Sequence, residues 1–324
     1  MADYRAIKGL HIQTVSSDNA TIQAGDIWYN STLGKIRVAK IDGSWATTNN
    51  MNTARFAFGN AGIQTAALAS GGDSHPASPR INAITESYNG STWTEVADLN
   101  QARRALAGFG TTTAALAFGG YIDTPGPSSL NESWNGASWT EVNNLNTARY
   151  NHAGAGTTTA GLSFGGNTGS VTAINESWNG TSWTETADLN TARDAMAGAG
   201  ISTAALSIAG TPSPTTIVEQ WDGSSWTEVG DLNTGRSNPG GAGTVTAAVT
   251  FGGSEPSPGR TANTEVWDGS SWTETGNLAV ARNNMAHAGT QAAAVSGGGN
   301  AATALSVATE EFTYGAAASS VTAS

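Results

Sequence analysis

A tryptophan followed ten residues later by an arginine occurs six times, at Trp45/Arg55, Trp93/Arg103, Trp139/Arg149, Trp183/Arg193, Trp226/Arg236 and Trp272/Arg282. Successive tryptophans are 48, 46, 44, 43 and 46 residues apart. A period in this range means that one supersecondary unit is built again and again. A glutamate stands two residues before an aromatic at Glu86/Tyr88, Glu132/Trp134, Glu176/Trp178, Glu219/Trp221 and Glu265/Trp267. A sixth copy, Glu310/Phe312, has no tryptophan after it.

Each unit reads as four short strands. Strand a is a run of small residues such as "HAGAGT" (152–157), and strand b is an apolar run closing on a glycine pair, as in "AGLSFGG" (160–166). Strand c carries Glu-x-aromatic and strand d carries Ser-Trp-Thr-Glu. An Asn-Gly or Asp-Gly at 89–90, 135–136, 179–180, 222–223 and 268–269 predicts a two-residue hairpin turn between c and d. Four strands per repeat of this length predict the blades of an all-β propeller. A solenoid of this period would be mostly helical, and no helical periodicity is present. Only small side chains fit where blades converge on an axis, which accounts for strand a.

The last c strand lacks a d strand, and the first d strand, "IDGSWATT" (41–48), lacks a complete a, b and c before it. These fragments complete each other. The expectation is six blades of four antiparallel strands, with the N-terminal d strand closing a blade begun by the C-terminal a, b and c strands. Closure of this kind removes open sheet edges. Residues 36–315 are assigned to the propeller, 1–35 to a docking segment and 316–324 to a flexible tail.

Composition narrows the function. The net charge is −11 with three lysines, so no nucleic-acid partner is expected. There is no Cys, which excludes thiolate metal sites and thiol nucleophiles. No apolar run is long enough for a membrane span, and the N-terminus shows no leader-like apolar stretch. His11, His75, His152 and His287 show no metal-ligand spacing. His152 and His287 fall at near-equivalent places in strand a and are read as structural. The "WDGSSW" runs at 221–226 and 267–272 place Asp and Gly adjacent, unlike a sialidase Asp box, and no acidic cluster offers a Ca²⁺ shell. No cofactor, no metal and no catalytic set is expected, and the chain is read as a non-enzyme.

The order "AFGG…NESWNGASWTEVNNLNTAR" (117–149) resembles the kelch repeat: a glycine pair, Glu-x-aromatic, a tryptophan about five residues on, then an arginine. The likeness runs over about 270 residues, from near Lys40 to Gly315, departing at Ala209 in the glycine pair and at Phe312-Thr313-Tyr314 in place of Trp-Asn-Gly. It implies a propeller whose task is binding partners. Enzymes of the galactose-oxidase type share such propellers but use a Cys-dependent copper site, which this chain lacks. A second resemblance lies in "AGDIWYNSTLGKIRV" (24–38), which is similar to a segment of tailed-phage tail and fibre proteins, and "MADYRAIKGLHIQ" looks like the start of such proteins. It implies a virion location and makes Trp28 and Tyr29 candidate anchors.

The recurrent Trp45, Trp93, Trp139, Trp183, Trp226 and Trp272 are read as packing between blades. Burial of each contributes about 1.5–3 kcal/mol or more, so stability alone explains the row, and sugar stacking is the alternative. The six Arg and six Glu are read as structural pairs; a ring of Arg at a channel mouth is the alternative.

The b–c loops differ in length and hold most of the Pro, so they are the candidate binding face. Their residues of interest are His75, Arg80, Tyr121, Asp123, Thr168, Pro212, Glu255 and Arg260. The expected function is a structural and adhesion protein on the surface of a tailed-phage particle, as a tail fibre or receptor-binding component. Its N-terminus would hold other virion proteins, and its loops a host glycan or protein; self-association stays open. A head or neck fibre or decoration protein, and a stand-alone kelch interaction module, are the alternatives.

Overall fold

The computed structural model describes residues 12–18, 21–77, 79–256 and 259–320. The chain divides into two compact units: residues 44–313, and residues 1–43 together with 314–324.

The larger unit is a six-bladed, all-β propeller. Blades 1 to 5 occupy residues 59–96, 107–142, 153–186, 197–228 and 240–275, and each is a four-stranded antiparallel sheet ordered a-b-c-d. Blade 3 shows the pattern: Ala153–Thr157, Ala160–Phe164, Asn175–Trp178 and Trp183–Thr186. Blade 6 takes a and b from Ala286–Gly289 and Ala293–Gly297, c from the strand Thr309–Ser320 and d from the strand Lys35–Thr48. Both chain ends therefore share one sheet, and the ring closes three-plus-one.

The c–d turn differs from the two-residue expectation. Tyr88 pairs with Trp93 and Trp178 with Trp183, so four residues lie between paired aromatics. The first of the four, Asn89 or Asn179, accepts two backbone N–H groups through its Oδ1. In blades 4 and 5 Asp222 and Asp268 do the same, which holds their carboxyls at about 2. The Asn/Asp acts as an Asx cap that makes the turn uniform.

Apolar packing lies between blades. Trp183 of blade 3 packs at a tilt against Phe118 of blade 2 at 5.0 Å, and Trp226 of blade 4 against Phe164 of blade 3 at 4.9 Å. Trp45 closes the ring by packing on Phe251 of blade 5 and Phe312 of blade 6. Its Nε1 donates to Thr264, as that of Trp93 does to Thr309 and that of Trp139 to Thr85. Asn131 and Asn175 replace that threonine for Trp183 and Trp226, and there both the indole N–H and the Asn Oδ1 are unpaired among the described residues. Near the axis the strands touch by backbone: a Cβ on Gly198 would lie 2.5 Å from the Gly154 carbonyl oxygen.

The Arg and Glu rows form six buried pairs, one per blade. Arg55–Glu86, Arg103–Glu132, Arg149–Glu176, Arg193–Glu219, Arg236–Glu265 and Arg282–Glu310 join the d–a corner to strand c, with the arginines fully buried. Burial pushes Arg149 and Arg282 down to about 10 against the pull of Glu176 and Glu310, so both stay charged at neutral pH. Each guanidinium also grips the base of its blade's b–c loop. Arg103 donates to the carbonyls of Gly119 and Leu130, and Arg193 to those of Ala209 and Ile217. The second Glu oxygen accepts the N–H of the residue three before the Arg: Asn52, Asn100, Asn146, Asn190, Asn233 or, in blade 6, Ala279. Each of those five asparagines donates onward to the carbonyl of the next d-strand tryptophan.

The smaller unit contains the strands Gln13–Val15 and Ile27–Asn30, the first part of Lys35–Thr48 and the end of Thr309–Ser320. Asp18 is its hub, accepting from Trp28 Nε1, Asn30 Nδ2 and Arg37, while Arg37 also donates to Ser320 Oγ and the Ala318 carbonyl. Those bonds, that of Asn30 foremost, hold the Asp18 carboxyl below its usual range. The unit boundary thus falls at 43/44 rather than 35/36. Residues 316–320, expected as a flexible tail, continue a strand because Arg37 ties them down. Residues 1–11, with His11, and 321–324 lie outside the described residues.

Removing one partner of a buried pair strands a charge, at a cost of about 3–5 kcal/mol. Glu219→Ala is therefore expected to lower the unfolding free energy by that amount in urea, and Arg193→Met/Glu219→Leu, which removes the stranded charge but leaves the Ala209 and Ile217 carbonyls unpaired, to recover only part of it. Equal losses in the single and double variants would show that the pair is not the cause.

Candidate functional site

The d–a corners and b–c loops emerge on one face, and the clamps fix the bases of all six loops there. At that face the central channel is ringed by backbone. The residue two after each Arg has positive φ: Ala57, Ala105, Asn151, Ala195, Asn238 and Asn284, between 52° and 60°. Its N–H donates to the carbonyl of its counterpart in the preceding blade: Ala105 to Ala57, Asn151 to Ala105, Ala195 to Asn151, Asn238 to Ala195, Asn284 to Asn238 and Ala57 to Asn284. Six amides thus form a closed hydrogen-bonded circle, and the arginines themselves lie buried outside it.

Inside, the channel holds about 220 Å³ and is lined by the small residues of the a strands. Five residues after each Arg the chain carries Asn60, Gly108, Gly154, Gly198, Gly241 and His287. Asn60 and His287, from the neighbouring blades 1 and 6, give this otherwise glycine row its only polar side chains.

His152 is not the equivalent of His287, contrary to the sequence reading. It stands three after its Arg, in the row of Phe58, Leu106, Met196, Pro239 and Met285. Phe58, Leu106, His152, Met196 and Met285 each cover the first glycine of the preceding blade's pair; His152 lies against Gly119 and 5.5 Å from the Phe118 ring. Burial, aided by Arg149, holds its imidazole well below 6.5, and burial pushes His287 down to about 4.

Around the amide circle runs a belt of paired residues. The residue directly after each Arg bridges the first residue after the glycine pair of the same blade. The pairs are Phe56–Asp73, Arg104–Tyr121, Tyr150–Asn167, Asp194–Thr211, Ser237–Ser254 and Asn283–Asn300. Their backbone geometry is repeated while their side-chain chemistry differs in every blade.

In blades 1 to 3 the belt forms a connected cluster. Asp73, fully buried, accepts from Arg80 Nε at 3.0 Å and lies 3.5 Å from Arg104 Nε, while its other oxygen takes the His75 N–H. The Arg104 guanidinium lies over the Tyr121 ring at 4.8 Å, and Tyr121 meets Tyr150 edge-on at 5.1 Å. Further round, Asp194 accepts from Asn167 and Thr211.

Of the residues singled out in the sequence, Arg80 and Tyr121 are brought together through Asp73 and Arg104. His75, Asp123, Thr168 and Pro212 are exposed on separate loops. Glu255 bonds Asn263 within its own loop, and Arg260 bridges Ser254 there. A cleft of about 840 Å³ opens between the b–c loops of blades 6 and 1, lined by Asn52, Ser74, Asn82 and Leu305 among others. Trp28, expected as an anchor, is buried and bonded to Asp18, whereas Tyr29 is exposed, because strand residues alternate between faces.

Sequence reasoning missed Phe56, Arg104, Tyr150 and Asp194. Their signal was available: the residue after the repeated Arg is Phe, Arg, Tyr, Asp, Ser and Asn in turn. Among the described residues no three His, Asp or Glu side chains converge as a metal site.

No protein-family model matches the chain, and no curated protein is similar enough to count as a relative.

Two predictions concern this face. Ala57 pays left-handed strain at φ 60° and is only half-buried, so Ala57→Gly is expected to raise stability by about 0.5–1 kcal/mol in urea unfolding. A loss of stability would mean that the circle imposes no strain there. The second is a pH effect. The unfolded chain protonates His152 near pH 6.5 while the folded chain keeps it neutral, so its contribution is full above that pH and falls as acid is added. Replacing it by the residue its row carries elsewhere, His152→Met, should make stability fall less steeply as the pH drops below about 6.5, by up to about 1.4 kcal/mol per pH unit. An unchanged slope would contradict this.

Proposed function

We propose that the chain is a non-enzymatic structural and adhesion protein of a tailed-phage particle, a tail-fibre or receptor-binding component. The N-terminal unit attaches it to the virion, and the b–c face of the propeller contacts the host surface. The observation that carries the adhesion reading is the division of labour within each repeat. The clamp, the aromatic rows and the c–d turn are uniform, while the belt and the loops differ from blade to blade. A scaffold that keeps its geometry and varies one face suits recognition. The resemblance to kelch repeats supports the same reading.

The attachment reading rests on the 24–38 segment and its resemblance to phage tail and fibre proteins. Nine large apolar side chains are exposed among the described residues, and six of them are in the smaller unit: Ile12, Ile27, Tyr29, Leu33, Ile36 and Ile41. Tyr29 pairs with Ile36 across the strands and Ile27 with Val38, which places Ile27, Tyr29 and Ile36 on one face. Exposed apolar surface gathered in this way marks a docking site.

The test is incorporation into particles. Ile27→Ser/Tyr29→Ser/Ile36→Ser should fold with an unchanged propeller yet be lost from purified virions. Retention of the triple variant on virions would overturn the docking role. Absence of the native chain from particles would favour a stand-alone kelch-type interaction module. Electron microscopy of the particle separates a tail position from a head or neck fibre.

A further inference from the structure

We infer that the belt of blades 1 to 3 is a docking site for a carboxylate-bearing sugar, with Arg104 and Arg80 taking the carboxylate and Tyr121 and Tyr150 the pyranose ring. The inference deepens the proposed adhesion role and rests on it.

Charge is distributed unevenly over the propeller unit. It contains no lysine, and six of its nine arginines are spent in the buried clamps. The other three, Arg80, Arg104 and Arg260, all belong to the b–c face. The outer d strands carry a row of exposed acids: Glu95, Glu141, Glu185, Glu228 and Glu274. An anionic ligand is repelled by the rim and met by cations only on this face.

Within the cluster two guanidiniums, those of Arg80 and Arg104, share the single Asp73 carboxylate. Asp73 is fully buried, so its negative charge is directed at them. Arg80 is about half exposed, and among the described residues its terminal nitrogens make no hydrogen bond, so they are free to take a second carboxylate. The planar fork of Arg suits such a group.

Beside it lie the half-exposed rings of Tyr121 and Tyr150, with Arg104 held over the first. An aromatic surface next to a charged fork fits a ligand that has both an apolar ring face and an anion. Further round the belt, Asn167 and Thr211 are both bonded to the buried Asp194. An acidic peptide fits less well. Extended peptides are recognised through free main-chain groups, and here those of Arg104, Tyr121, Tyr150 and Asn167 already bond one another.

The test uses the full chain with four probes: hyaluronan tetrasaccharide, oligogalacturonate, oligosialic acid and an octaglutamate peptide. Carboxyl-reduced forms of the sugars serve as controls. Binding is followed by calorimetry and by the tyrosine ring and arginine Nε–H resonances. At least one acidic sugar is expected to bind and to shift Arg104, Tyr121 and Tyr150, and its reduced form to bind at least about tenfold more weakly. Tyr150→Ser, which leaves the Asp73 cluster untouched, and Arg104→Met, which leaves Arg80 on Asp73, should each weaken binding by about tenfold while urea unfolding remains a single cooperative transition.

Binding of the peptide but no sugar would overturn the inference, as would equal binding of acidic and reduced sugars, or no binding of any probe. Host-cell adhesion separates this failure from failure of the adhesion role. Adhesion that survives Tyr150→Ser and Arg104→Met would place the contact elsewhere on the face, whereas no adhesion by the native chain would remove the role itself.

Discussion

Everything in the propeller hangs on the buried Arg–Glu clamp. Its guanidinium faces the strand-c carboxylate on one side and the two carbonyls at the base of the b–c loop on the other. The carboxylate in turn holds the crossover from the preceding blade. One ion pair therefore joins the blade-to-blade crossover, strand c and the loop base. A buried pair of this kind adds little net stability over an apolar isostere. Its contribution is geometric: the many donors of Arg satisfy backbone carbonyls that a loop base would otherwise bury unpaired. The amide circle and the belt follow from it, since both are set by the two residues after each Arg.

Much of this architecture was legible because the repeat displays it six times. Blade number, strand order and ring closure follow from Trp45 lacking a complete blade before it and Phe312 lacking a tryptophan after it. The pairing of the Arg and Glu rows could be read as a structural pair from their one-to-one recurrence. Their second task, gripping the loop bases, could not, because it depends on carbonyls that no side chain announces. The c–d turn was misjudged since Asn-Gly signals a tight turn locally, whereas the Asx cap at Asn89 sets a four-residue span. His152 and His287 were confused because the two positions are only two residues apart in the repeat, yet His152 lies in the corner before strand a and His287 within the strand. Trp28 and Tyr29 were taken together, although neighbours in a strand point to opposite faces.

The candidate site was half legible. Loop length and proline content pointed to the b–c face and to Arg80 and Tyr121. The belt stayed hidden because its other half, Phe56, Arg104 and Tyr150, sits in the d–a corner, far from the loops in sequence and beside a residue that never changes. Once the corner is folded, each of these meets the first loop residue of its own blade. The proposed recognition role depends on this arrangement: the chemistry of the face can change one blade at a time while the backbone beneath it does not.

That independence can be measured directly. Residues 121–129 of blade 2 and 254–262 of blade 5 are of equal length and lie between the same two clamp carbonyls. Exchanging them and measuring unfolding in urea puts the central claim at risk. If the clamps carry the scaffold and the loops do not, the free energy of unfolding stays within about 1 kcal/mol of the parent. A loss of more than about 3 kcal/mol, or loss of a single cooperative transition, would mean that the loops are part of the structural core, and the account would be wrong.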